Sequence, residues 1–333
     1  MPPRPLAVKI AGLGKYLPER IVSSAELEAQ LGIPAGWVER TAGVRSRRYA
    51  GSETVTQMAS AAAQAALRMA GLQPGDLDAI IGASASVRQA IPCSAAFVQR
   101  ELGAPDGGSA CFDLNATCLG FVFAMQTAAH LISAGVYKNV LIFSSELAGF
   151  SRNPKQWESA VLFGDGAAAA VLSAAQPGET SAIQHARFVT YSSGADLTQL
   201  VGGGTLHHPN DPATTPEMNM FDMDGPGVFK KAARLLPPFL DEFAKTSGLK
   251  NSDYDQVIPH QASGHGLKLL GTRFGFRPER VFNHVGERGN CISASIPLAL
   301  TEAVEQGRVR RGDQVLLLGT GAGLTIGALA LRF

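Results

Sequence analysis

The clearest chemical candidate in this sequence is a cysteine at the start of a predicted helix. Cys118 follows a short strand-like run ending at Leu114 and a polar turn over residues 115–117, and an apolar helical segment then continues to Gly135. Unpaired backbone amides and the helix dipole stabilise an anion at a helix start, so we expect the thiol of Cys118 to have a lowered pKa. The position predicts a thiolate nucleophile.

The other three cysteines are weaker candidates, because a cysteine in a helical context is more often a small buried hydrophobic residue. Cys111 lies within a predicted strand, and Cys93 follows Pro92 with no other reactive group nearby in the sequence. We expect both to be packing residues. Cys291 also opens a predicted helix, next to Asn290, and remains a second candidate for the nucleophile.

A thiolate nucleophile needs a proton partner and donors for a developing oxyanion. His260 follows a predicted strand and precedes a polar turn, which is where loop-borne catalytic groups are found. His284 and His265 are possible supporting groups. The segment 319–323 is rich in glycine and offers backbone amides, although a glycine-rich stretch between strands is commonly only a turn.

The elements that must position these residues alternate between strand and helix, which predicts a largely parallel sheet covered on both faces. With 333 residues the chain exceeds the size of a single core, and the pattern restarts after Pro177. We predict two halves, residues 1–176 and 177–333. The stretches 118–135 and 290–307 have equal length and precede similar strands, so we expect an internal duplication in which Cys118 and Asn290 are equivalent.

Composition limits the classes of partner. The formal net charge is +1 and charged residues make up 17%, which favours neither nucleic acid nor a membrane surface as a partner. The four cysteines have no paired metal-ligand spacing, so we expect thiols and no metal site. The apolar stretch 315–331 is interrupted by glycines and predicts two strands with a turn. We expect a cytoplasmic protein without a signal peptide.

Six segments together resemble one enzyme family, the β-ketoacyl-acyl-carrier-protein synthases III, and they span the whole chain in order. They are WVERTAGVRSRR from Trp37, DLNATCLGF around Cys118, LFGDGAAAAVL from Leu162, PHQAS at His260, GNCISASIPLAL around Asn290 and GTGAGLTIGALALRF at the C-terminus. The resemblance implies an α/β thiolase fold with two pseudo-symmetric halves in a layered αβαβα architecture. It also implies a homodimer.

The resemblance implies a Cys-His-Asn active site made of Cys118, His260 and Asn290. An acyl thioester would acylate Cys118, with the turn at Gly321 and Ala322 supplying oxyanion donors, and a malonyl thioester would then condense with loss of carbon dioxide. His260 and Asn290 would donate hydrogen bonds to the malonyl thioester carbonyl. The substrates would be coenzyme A or phosphopantetheine thioesters, with an acyl carrier protein as partner, and no cofactor or metal is implied.

Several positions depart from the family pattern. Ser263 replaces an asparagine of the family, and His265 replaces an arginine of the carrier-protein docking surface, for which Lys230 and Arg273 remain candidates. Trp157 stands where the family has an arginine that helps to hold the coenzyme A adenine.

The remaining substrate-binding candidates are Trp37 and Arg40, which keep the family's adenine-binding residues, and Ile91. Ile91 stands where a bulky aromatic residue from the partner subunit closes the acyl pocket. These departures indicate an atypical member that takes a longer or unusual acyl group in specialised metabolism, such as polyketide synthesis. The initiation of fatty acid biosynthesis stays open as the alternative.

Three other functions stay open at this point. The first is an acyltransferase that moves the acyl group from Cys118 to an oxygen or nitrogen acceptor. The second is head-to-head condensation of two acyl thioesters. It ranks lower because enzymes of that class use a glutamate from the partner subunit near the position of Ile91 and Pro92, and this sequence has none there. The third is a non-catalytic subunit of a condensing pair.

Overall fold

The computed structural model describes residues 4–333 and shows an α/β protein built around two main sheets. The strands are β1 (Val8–Tyr16), β2 (Arg20–Ser23), β3 (Ser46–Tyr49), β4 (Ala79–Gly82), β5 (Ala110–Asp113), β6 (Asn139–Glu146), β7 (Gly166–Ala174), β8 (Ala182–Gly194), β9 (Thr198–Gln199), β10 (Asp222–Met223), β11 (Gln256–Pro259), β12 (Gln314–Gly321) and β13 (Gly323–Arg332). The helices are α1 (Ser24–Leu31), α2 (Trp37–Ala42), α3 (Val55–Ala70), α4 (Ser94–Leu102), α5 (Gly120–Ser133), α6 (Trp157–Ala160), α7 (Gly225–Ser247), α8 (Gly264–Thr272), α9 (Val285–Arg288) and α10 (Ser295–Glu305).

The two main sheets share one topology. The first has the order β1-β7-β6-β4-β5 and the second the order β8-β13-β12-β11. In each sheet a parallel pair, β4 with β6 or β11 with β12, is followed by antiparallel neighbours. The expectation of a largely parallel sheet is therefore wrong for β1 and β7 in the first sheet and for β8 and β13 in the second. In the second sheet the reason is local, since β12 turns directly into β13 and such a hairpin is antiparallel.

Both faces of each sheet are buried, which explains the continuous apolar runs in the strands. Side chains alternate along β6, so Val140 and Ile142 pack into the central cluster while Leu141 and Phe143 face the opposite side. The apolar stretch 315–331 forms most of β12 and β13, as predicted. No helix within residues 4–333 is long and apolar enough to cross a membrane.

The layers follow from these faces. Helices α5 and α10 lie between the two sheets in the central cluster. Helices α3 and α4 cover the outer face of the first sheet, and α7 and α8 cover the outer face of the second. The αβαβα architecture is thereby confirmed.

Side chains fix the starts of two helices. Ser23 caps α1, because its side chain accepts the N–H of Glu26. Helix α4 begins at Ser94, where the carboxylate of Asp113 accepts the backbone N–H of Ser94 at 2.6 Å and stabilises the first turn.

The internal correspondence is clearest at the two turns that lead into α5 and α10. Thr117 and Ile292 both have a positive φ, 46° and 48°, although neither is glycine. Two residues before each of them an asparagine accepts the N–H of that residue: Asn115 Oδ1 from Thr117 and Asn290 Oδ1 from Ile292, both at 2.9 Å. The same number of residues separates each turn from the strand that follows.

This register corrects the predicted equivalence of Cys118 and Asn290. The counterpart of Cys118 is Ser293, the residue after the positive-φ position. The prediction aligned the glycines that follow the helices, Gly135 and Gly307, but α5 has 14 residues and α10 has 11. The duplicated halves therefore match at the helix starts and not at the helix ends.

Candidate active site

The turn that carries Cys118 has a constrained backbone. Residues Thr117–Leu119 form a single 3-10 turn that continues into α5. The left-handed conformation of Thr117 is rare for a β-branched residue and is stabilised by the hydrogen bond from its N–H to Asn115. This geometry places the half-buried Cys118 thiol at the start of a helix, as predicted.

The electrostatic environment of Cys118 differs from the prediction. Burial, together with the buried carboxyl of Glu146, raises the pKa of Cys118 to about 12. The neighbouring backbone N–H groups of Ala322 and of Cys118 itself lower the pKa, but burial outweighs them. The expected lowering of the pKa is therefore wrong, and the resting group is a thiol with two backbone N–H groups close to it.

Two glycines of β12 allow the site to close. A Cβ at Gly319 would lie 2.9 Å from His260 Cβ and 3.0 Å from Leu119 Cδ2. A Cβ at Gly321 would lie 3.3 Å from Thr117 Oγ1. The absence of side chains at these positions lets the Cys118 turn and the His260 segment both pack against the same strand.

His260 is a buried, neutral imidazole. It lies directly after β11, where its backbone N–H donates to Leu318 O at 2.8 Å. Burial lowers the pKa of His260 to about 4, and its Nδ1 has no hydrogen-bond partner among residues 4–333. A buried polar atom without a partner raises the free energy of the folded protein. A bound substrate that forms a hydrogen bond with Nδ1 of His260 would remove this cost.

Gln261 joins the His260 segment to the chain that leads to Asn290. Its Nε2 donates to Pro259 O at 2.9 Å and to Phe282 O at 3.1 Å, and its Oε1 accepts the N–H of His284 at 3.0 Å. The two segments are therefore fixed relative to each other.

A buried ion cluster supports the same region. The Nδ1 of His284 lies 2.8 Å from Glu302 Oε2, and Arg288 Nε donates to Glu302 Oε1 at 3.0 Å. Burial alone would raise the pKa of Glu302, but the neighbouring His284 and Arg288 lower it to about 2. The carboxylate of Glu302, on α10, stays ionised. Through His284, just before α9, and Arg288, the last residue of α9, it fixes α9 against α10.

Asn290 is oriented by backbone contacts on both sides. Its N–H donates to Leu162 O at 2.8 Å and its carbonyl accepts from Gly164 at 3.1 Å. Because its side-chain oxygen accepts the N–H of Ile292, the side-chain NH₂ remains as a donor. The turn 292–294 that follows packs against the Cys118 turn, so the structure brings both predicted segments to one place.

An apolar cavity opens beside His260. Its volume is about 110 Å³, and it extends between α7 and α8 from the end of β12. Its main apolar lining residues are Phe229, Leu236, Leu267, Leu270 and Phe274.

The predicted nucleotide-binding residues lie on the surface near one another. Trp37 and Trp157 make an edge contact with ring centroids 6.3 Å apart and planes at 75°. Arg40 is exposed and its guanidinium points back to Ala35 O at 3.4 Å. The buried carboxylate of Glu28 accepts the N–H of Val38 at 2.8 Å and holds the start of α2.

The remaining predicted residues are dispersed. Ser263 caps α8, because its Oγ accepts the N–H of Gly266 at 3.2 Å. Lys230 on α7 and Arg273 after α8 are exposed, next in sequence to Phe229 and Phe274 of the cavity lining. The side chain of Ile91 is 83% exposed.

Sequence reasoning missed Glu146, the last residue of β6. Its carboxylate is buried, and it accepts the N–H groups of Ala85 at 2.8 Å and Ser86 at 2.9 Å and the hydroxyl of Ser293. The available signal was a charged residue at the end of a strand that is otherwise apolar or small, since such a residue needs buried partners.

The site contains a thiol, an imidazole and a carboxamide, and no cluster of three or more His, Cys, Asp or Glu in the described range 4–333 could hold a metal ion. Two topologically equivalent sheets that enclose a cysteine at the start of the central helix define a thiolase-fold condensing enzyme.

Comparison with known proteins gives the family. The chain belongs to the β-ketoacyl-acyl-carrier-protein synthase III family. Residues 112–193 match the family model described as 3-oxoacyl-[acyl-carrier-protein (ACP)] synthase III, and residues 244–333 match the model of its C-terminal part. The protein is therefore an acyltransferase-class condensing enzyme of the β-ketoacyl synthase III type.

Relatives cover nearly the whole chain. The Sodalis glossinidius β-ketoacyl-[acyl-carrier-protein] synthase III is 38% identical over 327 residues, which are 98% of this chain and 99% of that protein. The Aquifex aeolicus synthase III is 35% identical over 328 residues, which are 98% of this chain and all of that protein.

Solved structures agree with these relatives. The Aquifex aeolicus crystal structure has a TM-score of 0.88 at 34% identity and covers 98% of this chain and 100% of that one. The priming β-ketosynthase of the R1128 polyketide pathway has a TM-score of 0.89 at 31% identity and covers 99% of this chain and 97% of that one. Xanthomonas campestris OleA shares the fold, with a TM-score of 0.88 at 23% identity and coverage of 99% and 100%.

Proposed function

We propose that Cys118, His260 and Asn290 carry out the condensation in two stages. In the first stage the sulfur of Cys118 attacks an acyl thioester, the carbon–sulfur bond of the substrate breaks, and coenzyme A leaves as a thiol with the proton from Cys118. The observation that carries this proposal is the place of Cys118 in the turn that leads into α5, with the backbone N–H groups of Ala322 and Cys118 close to the sulfur. The same donors would hold the oxyanion of the tetrahedral intermediate, next to the turn at Gly321.

In the second stage a malonyl thioester loses carbon dioxide, and the electron pair of the broken carbon–carbon bond forms a new bond to the acyl carbon. The Cys118 thiolate leaves and takes a proton from water. His260 and Asn290 would stabilise the enolate formed by decarboxylation, because a neutral imidazole and a carboxamide NH₂ are both hydrogen-bond donors. The lowered pKa of His260 supports this role, since the imidazole stays neutral near pH 7.

The surface supports coenzyme A and a carrier protein as substrate carriers. The two tryptophans offer flat apolar surfaces to the adenine of coenzyme A, and Arg40 offers a positive charge to the phosphates of coenzyme A. The cavity beside His260 would receive the thioester end of either carrier. The relatives are named for the acyl carrier protein, and the exposed Lys230 and Arg273 would meet the acidic surface of such a partner.

A homodimer would complete the acyl pocket. Strand β5 is an edge strand of the first sheet, and an unpaired edge is a ready pairing surface for a second copy. Cys93 Sγ contacts Cys111 O of that strand at 3.7 Å, so the exposed Ile91 lies close to the same edge. We propose that β5 pairs with its copy and that Ile91 contacts the partner subunit's acyl pocket.

The proposed chemistry uses protein groups and thioester substrates without a cofactor. The free thiols of the four cysteines support a cytoplasmic location, where thiols stay reduced.

Intact-protein mass spectrometry after incubation with coenzyme A thioesters of increasing chain length tests the first stage. We expect one acyl mass per chain in the wild-type protein and in Cys291→Ser, and none in Cys118→Ser. The chain length that labels fastest would separate a priming role from one in specialised metabolism. Labelling that persists without Cys118 would contradict the proposal.

A further inference from the structure

The two duplicated halves differ at one strand position that faces the helix-start turns. Glu146 and Gly321 are the last residues of β6 and β12, two strands of 8 residues that follow corresponding helices. Each faces the turn of the opposite half: Glu146 accepts the hydroxyl of Ser293, and Gly321 packs against the Cys118 turn at Thr117. A carboxylate in one half therefore corresponds to a glycine in the other.

The carboxylate of Glu146 is fully enclosed and accepts three donors. Oε1 accepts from Ala85 and from Ser293, and Oε2 accepts from Ser86. Burial raises the pKa of Glu146, and the hydrogen bonds from these three donors oppose that shift by stabilising the ionised carboxylate. Burying a charged group costs free energy, which hydrogen bonds offset only in part. The buried carboxylate of Glu146 therefore indicates a role other than packing.

The hydrogen bond to Ser293 acts on the segment that orients Asn290. Ile292, which precedes Ser293, donates its N–H to Asn290 Oδ1, and Ser295 Oγ lies 3.4 Å from the same oxygen. Ile292 keeps a left-handed φ of 48°, which a β-branched residue adopts only when its surroundings hold it. Fixing Ser293 therefore fixes the direction of the Asn290 NH₂.

We propose that Glu146 is a positioning residue for Asn290, acting through the Ser293 hydroxyl. Its carboxylate holds the turn 292–294 so that the Asn290 NH₂ points at the substrate. The proposal rests on the proposed role of Asn290 in the second stage of the reaction. It predicts a defect in condensation that leaves the acylation of Cys118 intact, because Asn290 takes no part in the first stage.

Ser293→Ala tests the proposal, because it removes the hydroxyl and leaves the carboxylate in place. Ser145→Ala is the matched control: Ser145 is a buried neighbour on β6, and its hydroxyl has no hydrogen-bond partner within residues 4–333. The rate of Cys118 acylation by an acyl-coenzyme A and the rate of carbon dioxide release from a malonyl thioester are measured separately for each variant.

We expect Ser293→Ala to acylate within about twofold of the wild-type rate and to release carbon dioxide about ten- to a hundredfold more slowly, the effect of losing one hydrogen bond to a charged group. Ser145→Ala should keep both rates. If Ser293→Ala does not fold, Glu146→Gln is measured in the same way. Its carbon dioxide release should fall by a similar factor, and its acylation should not slow, because the substitution removes one cause of the raised pKa of Cys118. Unchanged carbon dioxide release, or an equal fall of both rates, would overturn the proposal. Failure of the wild-type protein to acylate would instead refute the proposed function.

Discussion

The Cys118 turn and the Ser293 turn have the same backbone but opposite surroundings. Each starts with an asparagine that accepts the N–H of a positive-φ residue, and each leads into a central helix. Cys118 is half-buried and its turn packs against Gly321, whereas Ser293 is fully buried and donates a hydrogen bond to Glu146. Duplication thus supplies two equivalent scaffolds, and the side chain on the facing strand decides which turn stays open to a substrate.

The proposed mechanism assigns its two stages to different residues. Cys118 and the Ala322 amide would serve acylation, and His260 and Asn290 would serve condensation. We therefore expect substitutions at the Cys118 turn and the facing Gly321 to affect acylation, and substitutions around His260 and Asn290 to affect condensation. The following variants test this division, from the largest expected effect to the smallest.

Replacement of the nucleophile should have the largest effect. Cys118→Ala is expected to lower the rate of condensation by at least about a thousandfold, because no covalent intermediate can form. Cys291 is buried in a cluster with Ala168, Ala294 and Leu298, where a substrate does not reach its thiol, so Cys291→Ala should retain the activity. Release of labelled carbon dioxide is the measurement. Full activity of Cys118→Ala would show that neither turn carries the nucleophile. The difference between the Cys118 turn and the Ser293 turn would then have no bearing on catalysis.

Removal of the second-half imidazole should separate the two stages. His260→Ala is expected to lower condensation by about a hundred- to a thousandfold, the usual cost of losing one donor to a developing oxyanion. Acylation of Cys118 should continue, because its oxyanion donors are backbone groups. Intact mass and carbon dioxide release are compared on one sample. An equal loss of both activities would assign His260 to the first stage as well.

A carboxylate at position 321 should give the Cys118 turn the surroundings of the Ser293 turn. Gly321→Glu is expected to slow acylation by about a hundredfold, because the side chain enters the space 3.3 Å from Thr117 Oγ1 and its charge raises the pKa of Cys118 further. Gly321→Ala, which adds one methyl group, should lose much less. The acylation rate and the melting temperature are recorded for both. If Gly321→Glu folds and is acylated at the normal rate, the residue that faces the Cys118 turn does not control access of the acyl thioester to Cys118.

The pKa of His260 predicts a pH dependence of stability. The ordinary pKa is 6.5 and burial lowers it to about 4, so the unfolded chain binds the proton more readily between these values. Stability from the neutral His260 is complete above about pH 6.5 and is lost as the pH falls towards 4, by about 3 kcal/mol in total. Urea unfolding at pH 7 and pH 4.5 should show this loss in the wild-type protein. His260→Ala should show a smaller loss, and an equal loss in both proteins would contradict the prediction.

The smallest effect is expected at the tryptophan pair. Trp157→Ala should raise the KM for an acyl-coenzyme A by about tenfold or less and leave kcat unchanged, because stacking on a base contributes about 1 kcal/mol. An acyl thioester without the nucleotide is the control and should bind equally to both proteins. A change in kcat, or an equal change with the control substrate, would remove the pair from nucleotide binding.

Much of the fold was predictable, because it follows from local patterns and from motifs. Apolar strands with both faces buried predict a covered sheet, and the strand, turn and helix around Cys118 predict its place at a helix start. The register of the duplication was not predictable from helix length, because it depends on the φ of Thr117 and Ile292.

The missed features are non-local. The partners of Glu146 come from 60 to 147 residues away in the sequence, so no pattern around position 146 could identify them. The pKa of Cys118 depends on burial in the assembled fold, whereas the sequence showed only the helix start that opposes it. Tertiary burial decided the direction of the shift.

One measurement tests the central claim most directly. The protein is first acylated on Cys118 by an acyl-coenzyme A, freed of excess substrate, and then mixed with a malonyl thioester labelled in its carboxyl group. We expect the acyl mass to leave Cys118 as one labelled carbon dioxide is released for each acyl group, with a β-ketoacyl thioester as product. Loss of the acyl mass without release of carbon dioxide would contradict condensation and would indicate transfer to another acceptor.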